Sequence, residues 1–191
     1  METQIPSDMK ELFTKTLIKD RQIAIYGEIT NELATQVGAA ITLLNAENKT
    51  EEILAHINSA GGKIVAGLDI YDIIRYSQAP VRGIVFQISH SSAAIILQAC
   101  KKRQAYKYSE IMIHNIRSND VDIDEFDPEL REKSEKFRLK HANRTKNQEA
   151  VLEILSKRTG LSHTDIITLC REEKRFTAEE ALKYGFIDEI L

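Results

Sequence analysis

Apolar residues recur along the chain at two alternating spacings. Residues 22–26 follow the two-residue period of a strand and are closed by Gly27, whereas Leu33, Val37, Ala40, Leu43 and Leu44 follow the longer period of a helix. The pattern predicts a helix over 32–46, with Thr30 or Asn31 as its cap. A strand over 53–57 comes next, then a turn at Asn58-Ser59-Ala60-Gly61-Gly62, then a helix over 63–76 ended by Pro80. Residues 81–88 read as an apolar strand and 93–100, rich in Ala and Leu, as a buried helix. Short strands are predicted over 105–108 and 111–113, and an amphipathic helix over 9–18 precedes them all.

Strands thus alternate with helices of ten to fifteen residues, the pattern of βαβ units with right-handed crossovers. In such sheets reactive groups gather where strands end and helices begin. The second half differs. Residues 118–128 are acidic and loop-like, and 129–157 form a long, charged helical pattern suited to a solvated face or a subunit interface. Ser162 and Thr177 open two further short helices, the second with Glu180 placed for a capping box, and 186–191 end in a strand-like tail.

A chain of 191 residues with 42% hydrophobic and 29% charged residues fits one globular domain. The net charge of −3, without a basic run, speaks against a nucleic-acid partner. No apolar run approaches the ~20 residues that cross a bilayer, and the start, Met-Glu-Thr-Gln-Ile-Pro, lacks the features of a secretory signal. Cys100 and Cys170 are far apart, which suggests buried thiols and a reducing cytoplasm.

Three places carry candidate chemistry. Gly61-Gly62, after a strand, either brings backbone N–H groups close to a ligand or makes a tight turn. It is neither a phosphate loop nor a dinucleotide fingerprint, because the following Lys-Ser/Thr and the third glycine are missing. Ser89-His90-Ser91-Ser92 stands between an apolar strand and an apolar helix, where a serine is either an N-cap or an exposed nucleophile beside helix N-terminal amides. His90, adjacent to Ser91, should point elsewhere. His114 ends the strand 111–113 and is either structural or a base. Asp120, Asp122 and Asp124 open like a calcium loop, but Glu125 and Arg131 occupy the positions needing Gly and Glu, so no metal is expected.

Taken together, these stretches resemble the Clp protease proteolytic subunit. The likeness is carried by Tyr26-Gly27-Glu28-Ile29, by Ile57-Asn58-Ser59-Ala60-Gly61-Gly62 with Ala66-Gly67-Leu68 and Ile70-Tyr71-Asp72, and by Met112-Ile113-His114. Thr159-Gly160, Ala178-Glu179-Glu180-Ala181 and Tyr184-Gly185-Phe186-Ile187-Asp188 continue it. The resemblance implies an α/β fold of repeated ββα and βαβ units of the Clp protease and crotonase type. A single domain over 1–191 would then have a head, roughly 8–115 and 158–191, and a protruding helical handle, roughly 116–157. It also implies a serine peptidase without metal or cofactor, with Ser91 as nucleophile, His114 as base, Glu173 in place of the family's aspartate, and backbone N–H groups of Gly62 and Ser92 as oxyanion donors. Such subunits associate into rings, usually two stacked heptamers, enclose peptide or unfolded-protein substrates, and are fed by an ATP-driven unfoldase.

The chain departs from that pattern in places. Gln87-Ile88-Ser89-His90-Ser91-Ser92-Ala93-Ala94 replaces Gly-Gln-Ala-Ala-Ser-Met-Gly-Ala, the segment after His114 is acidic rather than glycine-rich, and the stretch from His114 to Gly160 is longer. Two other readings accompany the first: a non-catalytic ring subunit, favoured by Glu173 and the altered Ser91 surroundings, and a crotonase-type acyl-CoA enzyme.

Overall fold

Alternation of buried and half-buried side chains drives Gln22–Ile29 into strand β1, and Thr30 turns the chain into helix α1 (Asn31–Glu47) by accepting a hydrogen bond from the Leu33 N–H at 3.2 Å. These elements belong to a computed structural model that describes residues 17–116 and 135–191. Helix α1 lays Ala34, Val37, Ala40, Ile41 and Leu44 into the core. Residues 17–19 are helical, and the rest of the helix expected over 9–18 lies outside the described residues.

Strand β2 spans Ile53–Gly62, so the expected turn at Asn58–Gly62 is instead strand. Its physical reason is visible in the ladder. After a register shift between Tyr26 and Glu28, β1 resumes pairing with Glu28 opposite Gly61 and Ile29 opposite Gly62. The Ser59 hydroxyl bridges the irregularity, donating to the Gly27 carbonyl at 2.5 Å and accepting from the Gly61 N–H at 3.0 Å. Helix α2 (Ile64–Arg75), strand β3 (Val81–His90) and helix α3 (Ser92–Ala99) follow close to expectation, and every residue of α3 is buried.

Strand β4 runs over Lys102–Ala105, and a turn rather than the expected strand occupies Tyr106–Ser109. Polar residues had hidden β4 from a hydrophobic pattern. Arg103 is buried because its guanidinium is satisfied by Asp188 and by the Gly185 carbonyl at 2.7 Å, and Gln104 because its amide meets Glu189 at 2.6 Å. Strand β5 (Glu110–Met112) precedes His114. Helix α4 (Glu135–Thr159) buries Val151 and Leu155 at its C-terminal end, while residues 118–128, with Asp120, Asp122 and Asp124, lie outside the described residues. Helix α5 (His163–Arg171), strand β6 (Arg175–Thr177), helix α6 (Ala178–Lys183) and strand β7 (Glu189–Ile190) complete the chain. Ser162 caps α5, and Thr177 with Glu180 forms the capping box of α6.

The seven strands share one sheet, ordered β1-β2-β3-β4-β7 with parallel pairing throughout that row. At β3 the sheet forks. Its first half, Arg82–Val85, pairs with β4, and its last three residues, Ile88–His90, pair in parallel with β5. Strand β6 joins antiparallel on the far side of β5. This mixed α/β architecture agrees with the fold that the sequence implies. The fork carries the end of β3 away from the main row and delivers the next residue, Ser91, to the edge of the core.

Candidate active site

Ser91 occupies the N-cap position of α3, yet its hydroxyl does not cap the helix. The residue adopts φ 55° and ψ −126°, a conformation that L-residues hold only when their surroundings enforce it. The surroundings are backbone. Its N–H donates to the Met112 carbonyl at 2.8 Å, and its own carbonyl accepts from the Ala94 N–H at 3.0 Å. Freed from capping, Ser91 Oγ lies 2.8 Å from His114 Nε2. The two alternatives open at Ser91 are therefore separated by geometry: the backbone carbonyl begins the helix while the hydroxyl faces an imidazole.

His114 stands just past β5 and is half-buried. Its Nδ1 is 2.6 Å from the Asn115 carbonyl oxygen. A carbonyl only accepts, so this contact favours the tautomer with the proton on Nδ1, in which Nε2 offers its lone pair to Ser91. That is the tautomer a general base requires.

The third feature is the end of β2. A side chain cannot be accommodated at Gly61: its φ is +95°, and an added Cβ would fall 2.7 Å from Ser91 Cβ and 2.8 Å from the His90 carbonyl. At Gly62 an added Cβ would fall 2.4 Å from the Ile29 carbonyl oxygen. Gly61 thus lets the end of β2 pack against the Ser91 turn, and Gly62 lets it lie close against Ile29 of β1. Ser92, the first residue of α3, has an N–H with no acceptor inside its own helix, a group suited to binding negative charge.

Glu173 lies in the turn after α5 with φ 48° and an exposed side chain, its N–H donating to the Cys170 carbonyl at 3.3 Å. The next residue ties this turn to the end of β5, because the Ile113 N–H donates to the Lys174 carbonyl at 3.3 Å. Ser91, His114 and Gly61 converge, Gly62 and Ser92 follow them along the chain, and the Glu173 turn runs beside the residue preceding His114. His56 is engaged elsewhere, 2.7 Å from Gln22 on the sheet.

Neither cysteine competes as a nucleophile. Both are buried, and burial pushes the Cys100 thiol up to about 12 and the Cys170 thiol to about 11. Three participants escaped the sequence reading: Asn115 acts through its backbone carbonyl, and Glu110 receives both His90 and Arg175 on one carboxylate oxygen. No residue type announces a carbonyl acceptor, and the pairing of residues 110 and 175 needs the β5–β6 register.

A family model described as Clp protease matches residues 7–191. The chain is 32% identical over 181 residues to an ATP-dependent Clp protease proteolytic subunit of Deinococcus radiodurans, a match covering 92% of this chain and 82% of that protein. It is 32% identical over 183 residues to ATP-dependent Clp protease proteolytic subunit 1 of Borreliella burgdorferi, covering 92% and 86%. Identity is again 32%, over 180 residues, to an ATP-dependent Clp protease proteolytic subunit of Leuconostoc citreum, covering 92% and 84%.

Proposed function

The chain belongs to the Clp protease family and is a serine-type peptidase; on that premise we propose that Ser91 is its nucleophile and His114 its general base. The observation that carries the assignment is the 2.8 Å contact between Ser91 Oγ and His114 Nε2. As Ser91 attacks a peptide carbonyl carbon, its proton passes to Nε2, and the carbonyl oxygen becomes an oxyanion held by the N–H groups of Gly62 and Ser92. Collapse breaks the C–N bond, and the imidazolium returns the proton to the departing amine. Water, deprotonated by His114, then cleaves the Ser91 ester and restores the site. Glu173 completes the machinery by orienting His114 and stabilising the imidazolium, displacing the Asn115 carbonyl from Nδ1. The acyl-CoA alternative leaves the Ser91–His114 pairing without a role, and a non-catalytic subunit leaves the selected tautomer without one.

The same reading extends to assembly. The chain forms rings enclosing a chamber for peptide or unfolded-protein substrates, two heptamers stacked through a handle of roughly 116–157, with an ATP-driven unfoldase feeding them. In support, Thr145, Lys146 and Glu149 of α4 are exposed and polar, a surface suited to contact between copies. Among the described residues no helix is long and apolar enough to cross a membrane, and two unpaired buried thiols fit a cytoplasmic setting.

A fluorophosphonate probe tests the site. Stoichiometric labelling of Ser91, lost in Ser91→Ala, is the expected result; undiminished labelling of that variant overturns the assignment. Sedimentation as a monomer across micromolar concentrations would remove the ring.

A further inference from the structure

His90 directs its side chain away from the catalytic pair, to the outer end of the fork. The ring is almost wholly buried, with 9% of the side chain exposed, and Nε2 lies 2.9 Å from Glu110 Oε1. The approach is within ion-pair distance but off the line of an aligned N–H bond, since Nε2 has no aligned partner. The same carboxylate oxygen accepts from Arg175 Nη1 at 2.5 Å. One oxygen therefore joins three strands: β3 through His90, β5 through Glu110 and β6 through Arg175.

Those strands hold the catalytic pair. His90 is opposite Met112 in the β3–β5 ladder, and Met112 is opposite Arg175 in the β5–β6 ladder. Met112 also accepts the Ser91 N–H, and His114 follows two residues later. Only three ladder positions join β3 to β5 and three join β5 to β6, so side chains must help fix this short register. Burial pushes His90 below the ordinary histidine range, while the Glu110 carboxylate pulls the other way and Arg175 adds to the lowering. The buried ring is thus best matched as a neutral dipole against the shared carboxylate.

We propose that His90, Glu110 and Arg175 form a three-strand clamp of positioning residues that sets the Ser91–His114 separation. The proposal rests on Ser91 and His114 being the catalytic pair. None of the three touches the reacting atoms. Their effect is on placement, and a misplacement of about 1 Å at a reacting centre costs on the order of 10² in rate.

The test uses the full chain in its native assembly, with peptide hydrolysis and the rate of fluorophosphonate labelling as readouts. His90→Leu and Glu110→Gln should each lower kcat and labelling rate about tenfold with KM unchanged. The double variant should lose no more than the worse single, because both break one network. His90→Gln, whose amide can reach the same carboxylate, should retain kcat within about threefold of the wild type. If His90→Leu fails to fold, Glu110→Gln and Arg175→Met, altered at the exposed end of the clamp, still decide the matter. Wild-type kcat in Glu110→Gln, or losses that multiply in the double variant, would overturn the clamp. Ser91→Ala is measured alongside: activity surviving there removes the catalytic assignment itself, whereas an inactive Ser91→Ala with unimpaired Glu110→Gln removes only the clamp.

Discussion

The two partners of the Ser91–His114 hydrogen bond are held in different ways. Ser91 is fixed on every side: a strained backbone, a backbone bond to β5, a fully buried helix behind it and a glycine packed against it. His114 lies beyond the last residue of β5, half-buried, with its outer nitrogen on the carbonyl of its own neighbour. Ser91 is thus placed by long-range packing and His114 by a local contact. Placement by packing is hard to perturb without strain, whereas a local contact can be exchanged for another. The His114 side is therefore where the Glu173 carboxylate proposed above would enter.

Removing the Ser91 hydroxyl gives the largest expected effect. Ser91→Ala should abolish turnover, by roughly 10⁶ in kcat, while leaving fold and assembly intact. Peptide cleavage at the wild-type rate would move the search to Ser89 or Ser92.

Changing the base side sharpens the comparison. If Glu173 takes over Nδ1 in the working enzyme, Glu173→Gln loses turnover, by up to about 10⁴ in kcat, because a neutral amide cannot stabilise the imidazolium. Glu173→Asp should keep activity. Equal kcat/KM for the wild type and the Gln variant would leave a Ser91–His114 dyad oriented by the Asn115 carbonyl alone.

Gly61→Ala strikes the packed side. The new methyl group meets Ser91 Cβ and the His90 carbonyl at distances that real contacts do not adopt. A stability loss of about 1–3 kcal/mol and a fall of roughly 10² in kcat are expected from strain and displacement together. Denaturant midpoints and turnover measured on the same sample check this, and an unchanged pair would show the nucleophile turn to be compliant.

The smallest expected effect is a pH slope. Burial holds folded His90 below its unfolded value, so the folded state binds fewer protons over that interval. The corresponding stability is present above the unfolded histidine pKa of about 6.5 and is lost as pH falls through the folded value. His90→Gln should flatten the slope measured by denaturant titration below that pH; a parallel slope in the variant would locate it elsewhere.

Much of this asymmetry was legible in the sequence, and unevenly so. Apolar spacing located β1, α1, α2, β3 and α3 because each buries a continuous face. It failed at Asn58–Gly62, where turn-forming residues sit in a strand braced by the Ser59 hydroxyl, and at β4, where Arg103 and Gln104 are buried through charge and amide pairing. Ser91 and His114 were recognisable only together and through family resemblance, because neither a serine at a helix start nor a histidine after a strand is distinctive alone. The clamp around Glu110 depends on residues 65 apart along the chain, and no local pattern encodes it.

The antiparallel pairing of β6 with β5 also bears on time. A chain made from its N-terminus exposes Ser91 and then His114 early, but Arg175, which closes the outer end of the fork, comes some 60 residues later. At synthesis rates of about 5–20 residues per second, that interval lasts several seconds. Through it, β5 lacks its outer partner and the turn beside Ile113 does not yet exist. The arrangement around Ser91 and His114 therefore matures after both residues have been translated, and the nascent polypeptide passes its most vulnerable seconds without a finished peptidase beside it.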